Sequence, residues 1–495
     1  MNFVKGLMLG STAVLMATSA QAADLPLKAK AVEYVKVCSL YGAGFYYIPG
    51  TDTCIKLGGY IRAEYAFNAG GMTETPSWSG NAGQGNRLSN NTIMRSRADV
   101  NIDTRTATEY GVVRTFFDST FTWTTGSDSV AGGSLGVYFA FIQFAGFTFG
   151  KAVSQFSTPW HGGPGNITSN LLGGDDTSTG INQVSYTAEF GNGVSGSVSL
   201  EDQSAYRTSQ LYNVNGATPL IFAGSASTYF AGNGSGLNNY AGTQIPDIVG
   251  KIRVDQAWGL FQVSAAAHQI RASYYVPTLE TSGHPDDKWG FAVLAALSLK
   301  NLPTGKGDSI NLDATYADGA TRYVIGGTSP NAFAMYGSSS AVGAYQSVAF
   351  ASSPDGVFGT GGQIQTVKAW GIRGAFNHNW NANWASSLFG AYSSVDFGGA
   401  GAALYNAGLN AAAPGFGTTY TGNPNFNIAQ IGLRTVWTPV KNLSFSGEVM
   451  WMHLDQNYSG VTAGNVSPAA TKPSARYEFK DQDTVVGAVR VQRTF

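Results

Sequence analysis

Between Met94 and Arg105 charges fall on alternate positions: Arg95, Arg97, Asp99, Asp103 and Arg105, with Asn101 in the same phase. Met94, Ala98, Val100 and Ile102 hold the other phase. In an extended chain every second side chain shares a face. A strand with five charges on one face presents a wet electrostatic surface, which is the chemistry of a lined passage and not of a catalytic centre. Lys56, Arg62 and Glu64 repeat the pattern upstream, and Arg114, Lys251, Arg253, Asp255, Arg373, Arg434 and Arg490 repeat it downstream. His161, His268, His284, His378 and His453 offer no i, i+2 or i, i+4 pair for a metal, and no nucleophile motif accompanies them. The doublets Asp175-Asp176 and Asp286-Asp287 would accept a loop cation, but solvated acids are the simpler reading. No enzyme, metal or cofactor is expected.

The elements that carry these charges are strands. Val184, Tyr186, Ala188 and Phe190 oppose Gln183, Ser185, Thr187 and Glu189; Ile310, Leu312, Ala314 and Tyr316 oppose Asn311, Asp313 and Thr315. The same dyad runs from residues 54–68 to 483–495 and gives about sixteen strands. Short turns at Thr106–Thr108, Ala145-Gly146, Asn192-Gly193, Trp258-Gly259 and Pro439–Asn442 alternate with long loops. Those loops are Asn68–Asn91, Ala152–Gly180, Asp202–Ile245, Gly319–Gln365 and Asp396–Asn425. A sandwich has no reason to collect its long loops at one end, whereas an up-and-down barrel crossing a bilayer does.

Composition agrees. Charged residues make up 12% of the 495, glycines number 64 and aromatics reach 13%, against about 25% charged in a typical soluble chain. The net charge of -1 gives no footprint for nucleic acid. Lys5, the apolar run Leu7–Ala17 and Ala20-Gln21-Ala22 read as a leader over 1–22. That implies export, with residues 23–53 a periplasmic segment and 54–495 the barrel.

Energy fixes the register. An unpaired backbone group in hydrocarbon costs several kcal/mol, so strands span only as a closed barrel. An arginine on the lipid face costs about 2–4 kcal/mol near the midplane. A one-residue slip would put Arg95, Arg97 and Arg105 there. They must face inward, where sixteen strands leave room for water. The expected fold is therefore an all-β, 16-stranded antiparallel transmembrane β-barrel, with short periplasmic turns and long extracellular loops. Tyr65, Phe67, Trp123, Trp258, Trp289, Trp370, Trp437 and Trp451 fall where interfacial girdles belong.

Two sites follow. Cys38 and Cys54, in an oxidising compartment, are expected to form a disulfide worth about 3 kcal/mol in the loop-entropy reading. Arg62, Arg95, Arg97 and Arg114 lie on the first three strands, Arg490 on the last and Arg434 two strands further round. Together they would make one positive wall of a constriction, faced by Asp175 and Asp176 of the 152–180 loop. Opposed walls of that kind set up a transverse field that favours polar solutes.

The stretch 37–54, VCSLYGAGFYYIPGTDTC, resembles the N-terminal signature of the alphaproteobacterial porins, of the Brucella and rhizobial type. Gly58-Gly59-Tyr60-Ile61-Arg62, Ala145 to Lys151, Ser185-Tyr186-Thr187 with the turn Gly191-Asn192-Gly193, and the terminal Phe495 match too. The resemblance implies a trimeric outer-membrane porin for passive diffusion of small hydrophilic solutes and ions. It also implies that the loop after the fifth strand folds inward, and that Phe495 is the signal for barrel insertion. A substrate-specific channel with an aromatic slide and an exported β-rich adhesin are the competing readings.

Overall fold

The computed structural model describes residues 36–68, 83–126, 129–160, 163–167, 171–175, 179–204, 209–214, 239–325, 332–412, 419–466 and 471–495. The expected leader, His161 and Asp176 lie outside them.

Sixteen strands close a ring. They are β1 Thr53–Phe67, β2 Thr92–Thr108, β3 Gly111–Thr124, β4 Ser134–Phe144, β5 Phe147–Ala152, β6 Ile181–Gly191, β7 Val194–Glu201 and β8 Asp247–Gln256. The ring continues with β9 Gly259–Ile270, β10 Lys288–Lys300, β11 Ser309–Asp318, β12 Lys368–Asn379, β13 Trp384–Asp396, β14 Tyr420–Val440, β15 Leu443–Val461 and β16 Gln482–Thr494. Each pairs antiparallel with its neighbour, and β16 returns to β1, with Ala63 opposite Val491. Closure leaves no unpaired edge in the bilayer.

The register is the one that lipid demands. On β2 Arg95, Arg97, Asp99 and Asp103 are buried inside, while Met94 and Val100 are exposed outside. Leu57, Ile61, Ile252, Ile372, Leu433 and Val489 continue the outward apolar band.

The turns are short at one end only. Ala145-Gly146 and Asn192-Gly193 carry positive φ at both residues, the mirror-image hairpin turn whose twist suits antiparallel strands. Two expected turns shift. The β2–β3 ladder runs on to Thr108 opposite Gly111, so the turn is 109–110, and the ladder from Gly259 moves another to 257–258. In the turn before β11, Asp308 accepts bonds from the Asn379 backbone at 2.9 Å and Thr304 Oγ1 at 2.7 Å, and lies 2.7 Å from His378 Nδ1. These bonds, the Asn379 amide first, hold its carboxyl down at about 2. A depressed carboxylate stabilises the fold above its unfolded value of about 4 and loses that contribution as pH falls through about 2. Asp308→Asn should therefore melt below the wild type at pH 7, with the gap closing between about pH 4 and pH 2. A pH-independent gap in heat-modified gel mobility would refute this.

At the short-turn end Cys38 and Cys54 are joined, with Cα atoms 6.0 Å apart. Their bridge packs with Phe45, Tyr41 and Tyr47 beneath the mouth. Phe495 donates its backbone N–H to Gly59 O at 3.1 Å and so ends the chain against β1.

The long-loop end differs from a simply wet interior. The inward faces of β10 and β15 turn apolar there: Ala292, Leu294 and Ala296, then Met450, Met452 and Leu454, are buried. They share a cluster with Phe156, Leu171 and Leu172 of the loop after β5 and with Phe333, Val348 and Phe350 of the loop after β11. Strands Ala332–Gly337 and Ala344–Ser352 belong to the loop after β11, and the helix Gly398–Ala412 to the loop after β13. Phe350 stacks on Tyr458 with centroids 5.0 Å apart. The apolar inward residues are the seats on which the loops bury their own apolar side chains.

Candidate functional site

The loop after β5 crosses the lumen along one wall. It starts under β6–β9: Ser154 Oγ donates to Glu201 at 2.7 Å, Lys251 Nζ donates to Gln155 Oε1 at 2.7 Å, and Gln262 Nε2 donates to Ser157 O at 2.8 Å. Residues 163–167 lie against β11–β16. Asn311 donates to Pro164 O at 2.9 Å, Ile167 N–H donates to Glu448 Oε2 at 2.5 Å, and Arg490 donates to Ile167 O at 2.9 Å. Residues 171–175 return over β12 and β14. Leu172 N–H donates to Gln430 Oε1 at 2.8 Å and Arg373 donates to Leu171 O at 3.3 Å. Gly173 passes so close to Gly371 that a Cβ on Gly371 would fall on the Gly173 backbone. Two facing glycines permit that approach.

The wall of β1–β4, with the adjoining β16 that the loop reaches at Arg490, carries the arginines. Glu64 sits between Arg95 and Arg490, 2.5 Å from each, and the trio is largely withdrawn from water. Arg62 donates to Gln492 Oε1 at 2.8 Å and Arg97 to Thr122 Oγ1 at 3.1 Å. Asp103 is shared by Arg105 at 2.9 Å and Arg114 at 3.0 Å, both about 30% exposed. Asp99 stands near Asp118 on the next strand, and Lys56 is exposed near the mouth. Arg434 bonds Ser387 at 3.1 Å. Arg253 and Asp255 pair at 2.7 Å near the short turns. Arg373 pairs with Asp313 at 3.0 Å, both fully buried.

Asp175 takes another place than the one expected. It is fully buried and paired with Arg322 at 3.2 Å, and Ser157 Oγ donates to it at 3.2 Å. A carboxylate so enclosed presents no charge across the passage. The acids nearest the arginines, Glu64, Asp99, Asp103 and Asp118, lie on the arginines' own wall.

Sequence reasoning missed the group that holds Asp175. Arg322 also bonds Gln203, and its guanidinium lies 4.7 Å from the Tyr323 ring. Tyr323 donates to Asp247 at 2.6 Å, and Asp247 bonds His268 at 2.7 Å. Tyr240 reaches both His268 Nε2, at 3.0 Å, and Asp355, at 2.8 Å. Burial pushes the Asp355 carboxyl up, against His268, Tyr240 and Thr321, which pull it down. Asp175, Gln203, Tyr240, Arg322, Tyr323 and Asp355 come from three loops without periodicity, and Asp247 and His268 from β8 and β9, so no local pattern joins them. Also missed were Phe116, Phe139 and Phe141, half-buried on the inward face. The bulge between Asp118 and Ser119 on the β3–β4 ladder interrupts the alternation that would have shown the β4 pair.

A ring of sixteen strands, a loop folded into it and an inner arginine wall are the parts of a pore. The sequence profile of the porin subfamily matches residues 24–488. The chain belongs to the porin subfamily. Porin Omp2b of Brucella suis is 33% identical over 271 residues, 52% of this chain and 64% of that protein. Omp2b of Brucella abortus (strain 2308) is 33% identical over 241 residues, 45% of this chain and 61% of the other. The chain thus spans a little under two thirds of the length of the curated relatives it matches. Among solved structures, the outer membrane channel DcaP of Acinetobacter baumannii superposes with a TM-score of 0.57 at 16% identity, over 91% of this chain and 99% of that one. That likeness is one of fold. Family membership places this porin in the bacterial outer membrane.

Proposed function

We propose that this porin is a water-filled channel for passive diffusion of small hydrophilic solutes and ions, that solutes pass along the β16–β4 wall, and that anions are favoured. One observation carries the last point. The inward faces of β16 and β1–β3 gather seven cations, Lys56, Arg62, Arg95, Arg97, Arg105, Arg114 and Arg490, against four carboxylates, Glu64, Asp99, Asp103 and Asp118. Low-dielectric walls focus that excess into the bore and raise the local anion concentration. The loop after β5 lies mainly against the other wall and reaches this one at Arg490, which supports a constriction between the loop and the arginines. Arg62 and Arg97 are the lining residues proposed to set selectivity, with Arg95 and Arg490 neutralised in part by Glu64. A homotrimer, which the family resemblance implies, completes the reading.

Reversal potentials across a planar bilayer under a KCl gradient test it. The wild type should prefer chloride, and Arg62→Ser with Arg97→Ser should move the potential toward the potassium limit. A cation-selective wild type, or a double variant with an unmoved potential, would sink the assignment.

A further inference from the structure

The inner wall holds more than charge. Phe116 lies in phase with Arg114 and Asp118 on β3, and the ladder sets Phe141 opposite Phe116, Phe139 opposite Asp118 and Gln143 opposite Arg114. Directly paired residues of an antiparallel ladder share a face, so these phenylalanines look into the bore. Their centroids are close: Phe116 to Phe141 is 5.4 Å and Phe116 to Phe139 is 6.2 Å. All three are half-buried, and the apolar clusters that seat the loops do not include Phe116 or Phe141. The partly wet faces of Phe116 and Phe141 inside an aqueous bore gain hydrophobic stabilisation when something apolar covers them.

Guanidinium groups accompany the rings. Arg114 lies 5.2 Å from the Phe116 centroid and 5.6 Å from that of Phe141. Arg105 lies 5.7 Å from Tyr41 and 4.9 Å from Phe45, both in the disulfide-closed segment. The two arginines share the one carboxylate of Asp103 and keep a net positive charge at partly exposed positions. Beside the two arginines a cavity of about 540 Å³ opens at the short-turn mouth, lined by Tyr41, Arg105, Arg114, Gln143 and Glu189 among others; Phe116 and Phe141 come two residues along their strands from Arg114 and Gln143. That volume is within the span of small-molecule sites, about 300–1,000 Å³.

We infer that Phe116 and Phe141 with Arg105 and Arg114 form a saturable site at the periplasmic mouth for planar aromatic carboxylates. The ring of such a solute would extend the phenylalanine stack, and its carboxylate would supply the second negative charge for two guanidiniums that now share one. An aliphatic carboxylate would meet the charge without the stack, and a neutral sugar the stack without the charge. The site rests on the channel reading above and deepens it by naming a solute class.

Single-channel recording of the full chain separates the two. In KCl, benzoate should interrupt the open current in a saturable way, while acetate and glucose at equal concentration leave it uninterrupted. Phe116→Leu and Phe141→Leu keep the apolar volume and remove the π faces. Each should raise the half-blocking benzoate concentration roughly three- to tenfold, measured against that variant's own open current. Arg105→Gln should raise it as well. An ohmic channel that benzoate does not block, block by acetate or glucose equal to that by benzoate, or leucine variants that block like the wild type would overturn the site and leave the channel reading intact. Absence of any conductance would overturn both.

Discussion

Arg373→Met is expected to destabilise the barrel by about 3–5 kcal/mol and to loosen the loop after β5. Arg373 and Asp313 are directly paired across β12 and β11, with the guanidinium 3.0 Å from the carboxylate and both side chains fully buried. Removing the cation leaves Asp313 charged, enclosed and without its ion partner. That desolvation penalty is far larger than the modest net worth of the pair itself. Arg373 also donates to Leu171 O, so the loop loses an anchor in the same step. The double variant Arg373→Met with Asp313→Leu removes both charges and should recover most of the loss. The temperature at which folded gel mobility disappears measures stability, and open-channel noise reports the loosened loop. A single variant as heat-stable as the wild type, or a double variant no better than the single, would show that the pair is not the anchor.

How far sequence could see this depends on what lipid enforces. Arg95, Arg97 and Asp103 were legible as inward because each outward alternative carries a penalty of several kcal/mol, and that penalty repeats along the strand. The ring, its closure between β1 and β16 and the one-sided turns follow from the same constraint. Inside the bore no such penalty acts. Leu294 and Met452 face inward as readily as Gln262, because a loop covers them. The partner of Asp175 could not be read, since Arg322 lies 147 residues away in a loop without a period. Phe141 was hidden for a related reason: a phenylalanine in a strand suits either lipid or a stacked lumenal wall, and only the ladder to Phe116 decides. Charge patterns thus gave the barrel, and packing between distant segments gave the site.

Gly371→Leu is the second large effect, and it tests the loop without touching a charge. Gly371 faces the lumen on β12, where an added Cβ would fall on the Gly173 Cα and within 2.7 Å of the Gly173 carbonyl oxygen. Both obstacles are backbone, so no rotamer relieves the clash. Gly173 itself has φ 114° and donates to Val324 O at 2.9 Å; it cannot shift without breaking its contact with the next loop. The strand ladders on either side of Gly371 use backbone groups alone and survive the substitution. The barrel should therefore still form, at a cost of about 1–3 kcal/mol for overpacking, while the loop lifts from the wall. Gly374, three residues on, faces lipid, and its added Cβ would crowd the Leu312 side-chain tip at 2.5 Å and sit at ordinary contact distance, 3.4 Å, from the Asn311 carbonyl oxygen. Gly374→Ala should leave conductance as it is, because a leucine methyl on the lipid face can turn aside. If the loop narrows the bore, Gly371→Leu changes the unitary conductance and Gly374→Ala does not. Equal conductance in both variants, in folded barrels, would mean that the passage is narrowest somewhere other than beside the loop.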